Sequence, residues 1–303
     1  MTSILELQRD ATCSRYDPQA YLALCHALIE RGEMSYAAGI FDRWVHIDPD
    51  NPVIAFYRSA LLGDKLPEKM PAVCVQHEFD VFAHSFDSVL ARLQYSVPTM
   101  FAALLATHLD TGAHHRTVDL GCGTGLTGIA AKPFASCLTG VDLSEAMLDR
   151  ARDRGIYNQL VRADLCDFLQ IHPIGFDLAI AGDSLIYTGN LLPIFEALHK
   201  SLCSNGLFMF SLEVADMSMP YALGRSGRFV HSETYVRALL NQSGFTVLSL
   251  DKPVLRMESG CDVEGMLVVA RCLPRSPQRA QDGVRSNIPT SAVNSRHDTP
   301  PSP

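Results

Sequence analysis

Apolar positions follow two regimes along the chain. Between residues 18 and about 109 they recur at helical spacing. YLALCHALIERG and SYAAGIFDRWVHIDP, within 18–51, read as two amphipathic helices, and VIAFYRSALLG at 53–63 as a third. A longer helical pattern runs over 79–109 and is interrupted near Pro98. From Thr117 onward the period changes, and short apolar runs alternate with amphipathic segments. TVDLGC, CLTGVDL, NQLVRADL, FDLAIAGD, GLFMFSLEV, FTVLSLD and EGMLVVARC read as strands. A βαβα order demands helices on both faces of a parallel sheet, so the predicted fold is α/β, with a doubly wound, mostly parallel seven-stranded sheet. The last two runs, 245–251 and 264–272, are joined by too short a loop for a packed crossover helix and are expected to pair antiparallel.

This pattern divides the chain into a helical region over 1–66, an α/β domain over 67–273 and a tail over 274–303. GDKLPEKMPAV, at 63–73, is read as the link between the first two, from its two prolines and alternating charges. The tail has six prolines, five serines and only Val284, Ile288 and Val293 as large aliphatics, so it is expected to be disordered.

The chain has 303 residues and a formal net charge of -8, with no stripe of Lys/Arg interleaved with aromatics. An acidic field repels phosphate backbones, which excludes nucleic acid as the main partner. No basic start followed by an apolar run opens the chain, and no stretch approaches the ~18 apolar residues of a spanning helix. The expectation is a cytoplasmic protein with no membrane partner. Nine cysteines without a C-x-x-C pair fit neither a disulfide framework nor a zinc knuckle, and read as reduced thiols with no metal.

In the helical region Gly32, Ala37, Phe41 and Pro49 are spaced 5, 4 and 8 apart. That order suits a tight turn between helices, a close helix approach, an aromatic filling the groove and a helix stop. The segment resembles one tetratricopeptide unit, a family of repeats that implies a possible protein partner. One unit is too few to stand alone, so its helices are expected to lean on the main domain.

The strongest chemical signal is VDLGCGTGLTG, 118–128, where the first strand runs into a helix. Gly121, Gly123 and Gly125 let the backbone turn sharply and approach a ligand. Asp142, at the end of the next strand, is placed for both hydroxyls of a ribose. Gly123 to Gly128 also satisfies G-x-G-x-x-G with Asp142 nineteen residues on, which would suit a dinucleotide and an NAD-dependent oxidoreductase. Asp119 in the strand end points instead toward a cationic ligand. Asp119 to Gly125 resembles the first motif of the class I S-adenosylmethionine-dependent methyltransferases. Similar motifs follow in order: Asp142 with the segment through Met147, the pair Asp164–Leu165, and Phe176 to Tyr187. The resemblance implies S-adenosylmethionine as cofactor, lined by Asp119, Gly121, Gly123, Gly125, Asp142, Met147, Asp164, Leu165 and Asp183. It places the adenine amino group on Asp164 and the Leu165 amide against the ring.

The helical start, together with the aromatic-rich segment 79–98 and Gly227 to Tyr235, resembles more loosely the bacterial methyltransferases that carry tetratricopeptide repeats. In-line methyl displacement needs mainly alignment and exclusion of water, and no metal. Asp183, Tyr187 and His231, after the fourth and fifth strands, are the catalytic candidates, with His231 as a general base. Arg228 and Arg256 could hold an anionic substrate. Phe82, His84, Phe86 and Tyr95 lie on a helix expected to lid the cofactor. Gly182-Asp-Ser-Leu stands where an Asn/Asp-Pro-Pro-Tyr would serve exocyclic amines of adenine or glutamine, and no Pro-Cys pair offers a thiol for pyrimidine carbon. The acceptor expected is a small molecule or a carrier- or protein-bound group. The alternative is a cofactor-binding scaffold without catalysis.

Overall fold

The computed structural model describes residues 24–275, apart from 26, 30, 64, 111, 113 and 174. Helical residues 24–25 and 27–29 lead through Gly32, at φ 78°, into α1 (Met34–Ile47) and α2 (Pro52–Leu62). Asn51 caps α2 by accepting the Val53 N–H, Pro52 sits in its first turn, and Gly63 in the left-handed conformation ends it. Ala37, Phe41 and Trp44 are buried with Leu24, Leu28 and Ile54 in a small core between these helices.

Three helices follow where a single interrupted pattern is expected: α3 (Ala72–Phe82), α4 (Phe86–Arg92) and α5 (Val97–His108). Pro98 begins α5 rather than breaking it, because a first-turn proline lacks only an N–H that has no intrahelical partner. The break falls earlier, where Gln94 adopts φ 54°. The segment 63–73 is no free linker. Met70 N–H donates to Tyr187 O at 2.8 Å, and the Gly189 and Asn190 N–H groups donate to Glu68 O.

The α/β part contains β1 (His115–Leu120), α6 (Leu126–Ala131), β2 (Ala135–Asp142), α7 (Glu145–Asp153), β3 (Gln159–Arg162), α8 (Leu165–Ile171), β4 (Phe176–Ala181), α9 (Leu192–Ser201) and β5 (Leu202–Val214). Then come β6 (Tyr221–Leu223), β7 (Phe229–His231), α10 (Glu233–Gln242), β8 (Phe245–Asp251), β9 (Val254–Glu258) and β10 (Cys261–Cys272). The main sheet runs β3-β2-β1-β4-β5-β10-β8. Its first five strands are parallel, and β10 is antiparallel to both β5 and β8. These seven strands are the seven read from the sequence. The short β6, β7 and β9 lie off this path and are not among the runs read from the sequence.

Alternation along the strands feeds two cores. Val118, Leu120, Ala179, Phe208, Phe210 and Val268 face α8, α9 and α10. Leu178, Ile180, Leu207, Met209 and Val269 face α5 and α6, with Phe101 and Leu105 fully buried there. At the far end Arg275, placed in the tail by the sequence, donates to the carbonyls of His199, Lys200 and Leu202, so the ordered part extends past 273. The rest of the expected disordered tail, 276–303, lies outside the described residues. The eight cysteines among the described residues are unbridged, and no single described helix is long and apolar enough to cross a membrane.

The hairpin α1–α2 leans on this domain through Phe56, which packs with Met70, Cys74 and Phe229; the Phe56 and Phe229 rings are 6.3 Å apart. Phe56→Ala is expected to cost about 3–5 kcal/mol and to lower the midpoint of one shared unfolding transition. Denaturant unfolding followed by circular dichroism measures it, and an unchanged midpoint would mean that the hairpin folds independently.

Candidate active site

The turn after β1 is built by glycines that take conformations other residues resist: Gly121, Gly123 and Gly125 have φ of 70°, 53° and 94°. Space excludes side chains as well, since a Cβ on Gly121 would lie 2.3 Å from the Ser184 Cβ. Asp142, at the end of β2, clamps the turn. Its Oδ2 accepts the Gly123 N–H at 2.8 Å and its Oδ1 the Ser144 N–H at 2.9 Å. Burial pushes the Asp142 carboxyl up, partly offset by these backbone donors. Asp164 caps α8 by accepting the Cys166 N–H at 2.9 Å, and Lys69 Nζ stands 3.6 Å from it.

One cavity of about 610 Å³ opens over this turn. Gly121, Gly123, Asp142, Asp164, Leu165, Asp183 and Tyr187 all line it, so the fold brings together most of the residues singled out in the sequence. Phe79, Phe82 and Phe86 roof it from α3 and α4, in edge-on contacts 5.4–6.1 Å apart; Phe79 also meets the Tyr187 ring edge-on at 5.4 Å. The roof is tied down at two points. Ser144 Oγ donates to Asp80 at 2.5 Å and Thr124 Oγ1 to Asp87 at 2.6 Å.

The far end of the cavity is ionic. Arg256, 4% exposed, donates to Asp183 at 2.8 Å, to Glu258 at 2.8 Å and to Glu213. Burial alone would lower its pKa, but Asp183 and Glu213 outweigh this and raise it. Arg228 donates to Glu213 at 2.7 Å and to Glu258 at 2.5 Å. Both guanidinium groups are thus occupied by carboxylates, and the reading of these arginines as anchors for an anionic substrate is replaced by a structural one. Asp183, at φ 50°, also accepts from Ser211 Oγ at 2.5 Å. Burial raises its pKa, and Arg256 pulls it back.

Four of the expected residues lie elsewhere. His231 is fully buried outside the cavity. It donates through Nε2 to Thr188 O at 3.0 Å and stacks on Tyr235, and burial pushes it down to about 4. It holds the β4 exit loop and touches no reacting group, so its reading as a general base is corrected. Met147 is buried inside α7 and does not reach the cavity. Gly125 starts α6 against Tyr157 and Arg154, behind the turn. Asp119 is fully buried beneath it, accepting from the Tyr157 hydroxyl at 2.7 Å, with Oδ1 unpartnered. Its side chain is held by Tyr157 and does not line the cavity. The residue that the sequence reading missed is Glu78, on the cavity side of α3. Its signal was the recurrence of Ala72, Val75, Phe79 and Phe82, hidden because Pro71 was taken as part of a linker.

The cavity wall fits a cation-bearing nucleoside. Six carboxylates (Glu68, Glu78, Asp142, Asp164, Asp183, Glu258) line it against three basic side chains (Lys69, Arg228, Arg256), each of which stands beside a carboxylate. A pyrophosphate would find no free cation there, whereas a sulfonium and an ammonium would find acceptors. Gly123 is open toward the cavity, where a Cβ would come no nearer than 3.9 Å to the Phe86 ring.

The family model described as "Methyltransferase domain" matches residues 118–208. Among curated proteins, the chain is 29% identical over 190 residues to the biotin biosynthesis bifunctional protein BioHC of Saccharophagus degradans, covering 57% of this chain and 33% of that protein. It is 32% identical over 151 residues to carboxy-S-adenosyl-L-methionine synthase of Campylobacter concisus, covering 46% and 62%. The chain thus spans between a third and about three fifths of the length of these relatives. The fold matches that of Burkholderia thailandensis 1,6-didemethyltoxoflavin-N1-methyltransferase, solved with S-adenosylhomocysteine, at a TM-score of 0.54 and 19% identity over 69% of this chain and 93% of that one. The fold is the Rossmann-like α/β fold of class I methyltransferases. The match over 118–208 is to a methyltransferase domain, and the comparisons support S-adenosylmethionine over a dinucleotide as the ligand of these glycines. The family match does not reach the helical region.

Burial pushes Asp119 up to about 7, above the ~4 of an unfolded aspartate. Between those values the folded protein keeps a proton that the unfolded chain releases, so stability falls as pH rises from about 4 to about 7. Asp119→Asn should flatten that slope in denaturant unfolding measured across this range; a slope unchanged by the substitution would contradict the assignment.

Proposed function

We propose that the protein transfers a methyl group from S-adenosylmethionine to a small-molecule acceptor by in-line displacement. What carries this reading is the single cavity that runs without interruption from the Gly121–Gly123 turn to Tyr187 and Arg256. Its volume of about 610 Å³ falls within the common range of ligand pockets.

Gly123 leaves room for the nucleoside to approach the backbone, and Gly121 lets Ser184 pack against the turn. Asp142 spends one lone pair of each oxygen on the turn and keeps the others for the ribose hydroxyls. Asp164 and the Leu165 amide take the adenine edge. Bound S-adenosylmethionine supplies a methyl carbon activated by the adjoining sulfonium. Asp183, fixed by Ser211 and Arg256, acts as a positioning residue at the border of the two halves. The Tyr187 hydroxyl faces the acceptor, and burial keeps it protonated as a hydrogen-bond donor. The aromatic roof excludes water and shortens the approach of the acceptor.

An acceptor displayed on a carrier or protein falls within the same reading, since Phe56 of α2 packs against Met70, which lines the cavity. The resemblance of α1–α2 to a tetratricopeptide unit supports a role in recruiting such a partner.

Asp142→Ala should weaken S-adenosylhomocysteine binding by about 1.5–3 kcal/mol, read by calorimetric titration; unchanged affinity would remove Asp142 from the site. Incubating the protein with methyl-labelled S-adenosylmethionine and a small-molecule extract should move label into that pool. Label remaining on the cofactor, with the cofactor bound, would favour the scaffold instead.

A further inference from the structure

The acceptor half of the cavity is chemically one-sided, and this deepens the methyl-transfer reading, on which the inference rests. Among the described residues Arg228 and Arg256 are the basic groups at this end, and together they satisfy Glu213, Glu258 and Asp183. Two positive charges against three negative leave no cation to receive an anionic substrate.

Glu78 adds a fourth carboxylate from the roof. It lines the cavity and takes no hydrogen bond from any described residue, and Arg228 is the cation that acts on it at a distance. Burial outweighs Arg228 and raises its pKa. Cys74, Tyr57 and Tyr187, which also feel its charge, are themselves held protonated by burial. Phe79, Phe82, Phe86 and Tyr187 line the same cavity as Glu78, and Phe79 meets Tyr187 edge-on. A carboxylate without a hydrogen-bond partner on the same cavity wall as aromatic rings attracts an organic cation, through charge pairing and through the ring faces.

We infer that the acceptor is an amine carried on an apolar or aromatic body, with Glu78 as the group that binds its ammonium and accepts its proton. The bound ammonium first gives one proton to the Glu78 carboxylate, and the lone pair so freed attacks the methyl carbon. The carbon–sulfur bond breaks with its electron pair staying on sulfur. Atoms and charge balance: the sulfonium becomes a neutral sulfide, the carboxylate a carboxylic acid, and the ammonium a methylated ammonium. Asp183 is held by Arg256 and Ser211, whereas the Glu78 carboxylate takes no hydrogen bond from a described residue and lies close enough to Tyr187 for that hydroxyl to feel its charge.

The test uses the full chain with saturating S-adenosylhomocysteine and matched probes: phenethylamine and tryptamine against phenylacetate and indoleacetate. The amines should bind at least tenfold more tightly than the corresponding acids. Glu78→Gln should weaken amine binding at least tenfold, leave the acids no weaker, and leave the affinity for S-adenosylhomocysteine unchanged, which also shows that the variant folds. Acids binding as tightly as amines, amine binding indifferent to Glu78→Gln, or no binding of either amine while S-adenosylhomocysteine is bound would overturn the inference. A protein that does not bind S-adenosylhomocysteine at all fails earlier, at the methyl-transfer reading itself.

Discussion

Three glycines turn the chain at positive φ where β1 ends, and the turn keeps its shape because Asp142 accepts the Gly123 N–H on one oxygen and the Ser144 N–H on the other. That carboxylate joins two successive strand ends at the carboxyl edge of a parallel sheet, where doubly wound folds bind ligands. From the same place Ser144 reaches Asp80 and Thr124 reaches Asp87, so the roof helices α3 and α4 are anchored to the floor they cover. Beneath the turn, Asp119 and Tyr157 fill the space against α6. Floor, roof and support thus share one set of short hydrogen bonds, and a change at Asp142 is felt by all three.

The second organising feature is the buried Arg256. Taking a guanidinium out of water costs several kcal/mol unless it is paired, and here three carboxylates surround it. The pairing brings Asp183 of the β4 exit loop, Glu213 of β5 and Glu258 of β9 to one point, fixing the wall opposite the glycine turn. The network is saturated, so it shapes the cavity without offering charge to a ligand. What remains free in the acceptor half is the negative charge of Glu78.

The strands were legible because they are short apolar runs, buried on both faces and bounded by turn residues, and the nucleotide side because Gly121, Gly123, Asp142 and Asp164 each sit at a strand end where backbone geometry dictates residue type. Long-range pairing left no such trace. Nothing local distinguishes His231, sealed under the Thr188 carbonyl, from a titrating base. Nor does any local pattern reveal that Arg228 and Arg256 share Glu213, which is 15 residues from one and 43 from the other. Asp119 and Met147 carry motif positions, yet their side chains pack behind the turn, because side chains at a strand end and on a helix alternate between facing the ligand and facing the core. Pro71 misled in the opposite direction, since a proline before a helix reads locally like a linker.

The central claim is that the cavity over the Gly121–Gly123 turn is a site for S-adenosylmethionine, and calorimetric titration of the full chain with S-adenosylhomocysteine, and separately with NAD, tests it most directly. The account predicts saturable one-to-one binding of S-adenosylhomocysteine and no heat of binding with NAD. Binding of NAD in place of S-adenosylhomocysteine, or of neither, would contradict it.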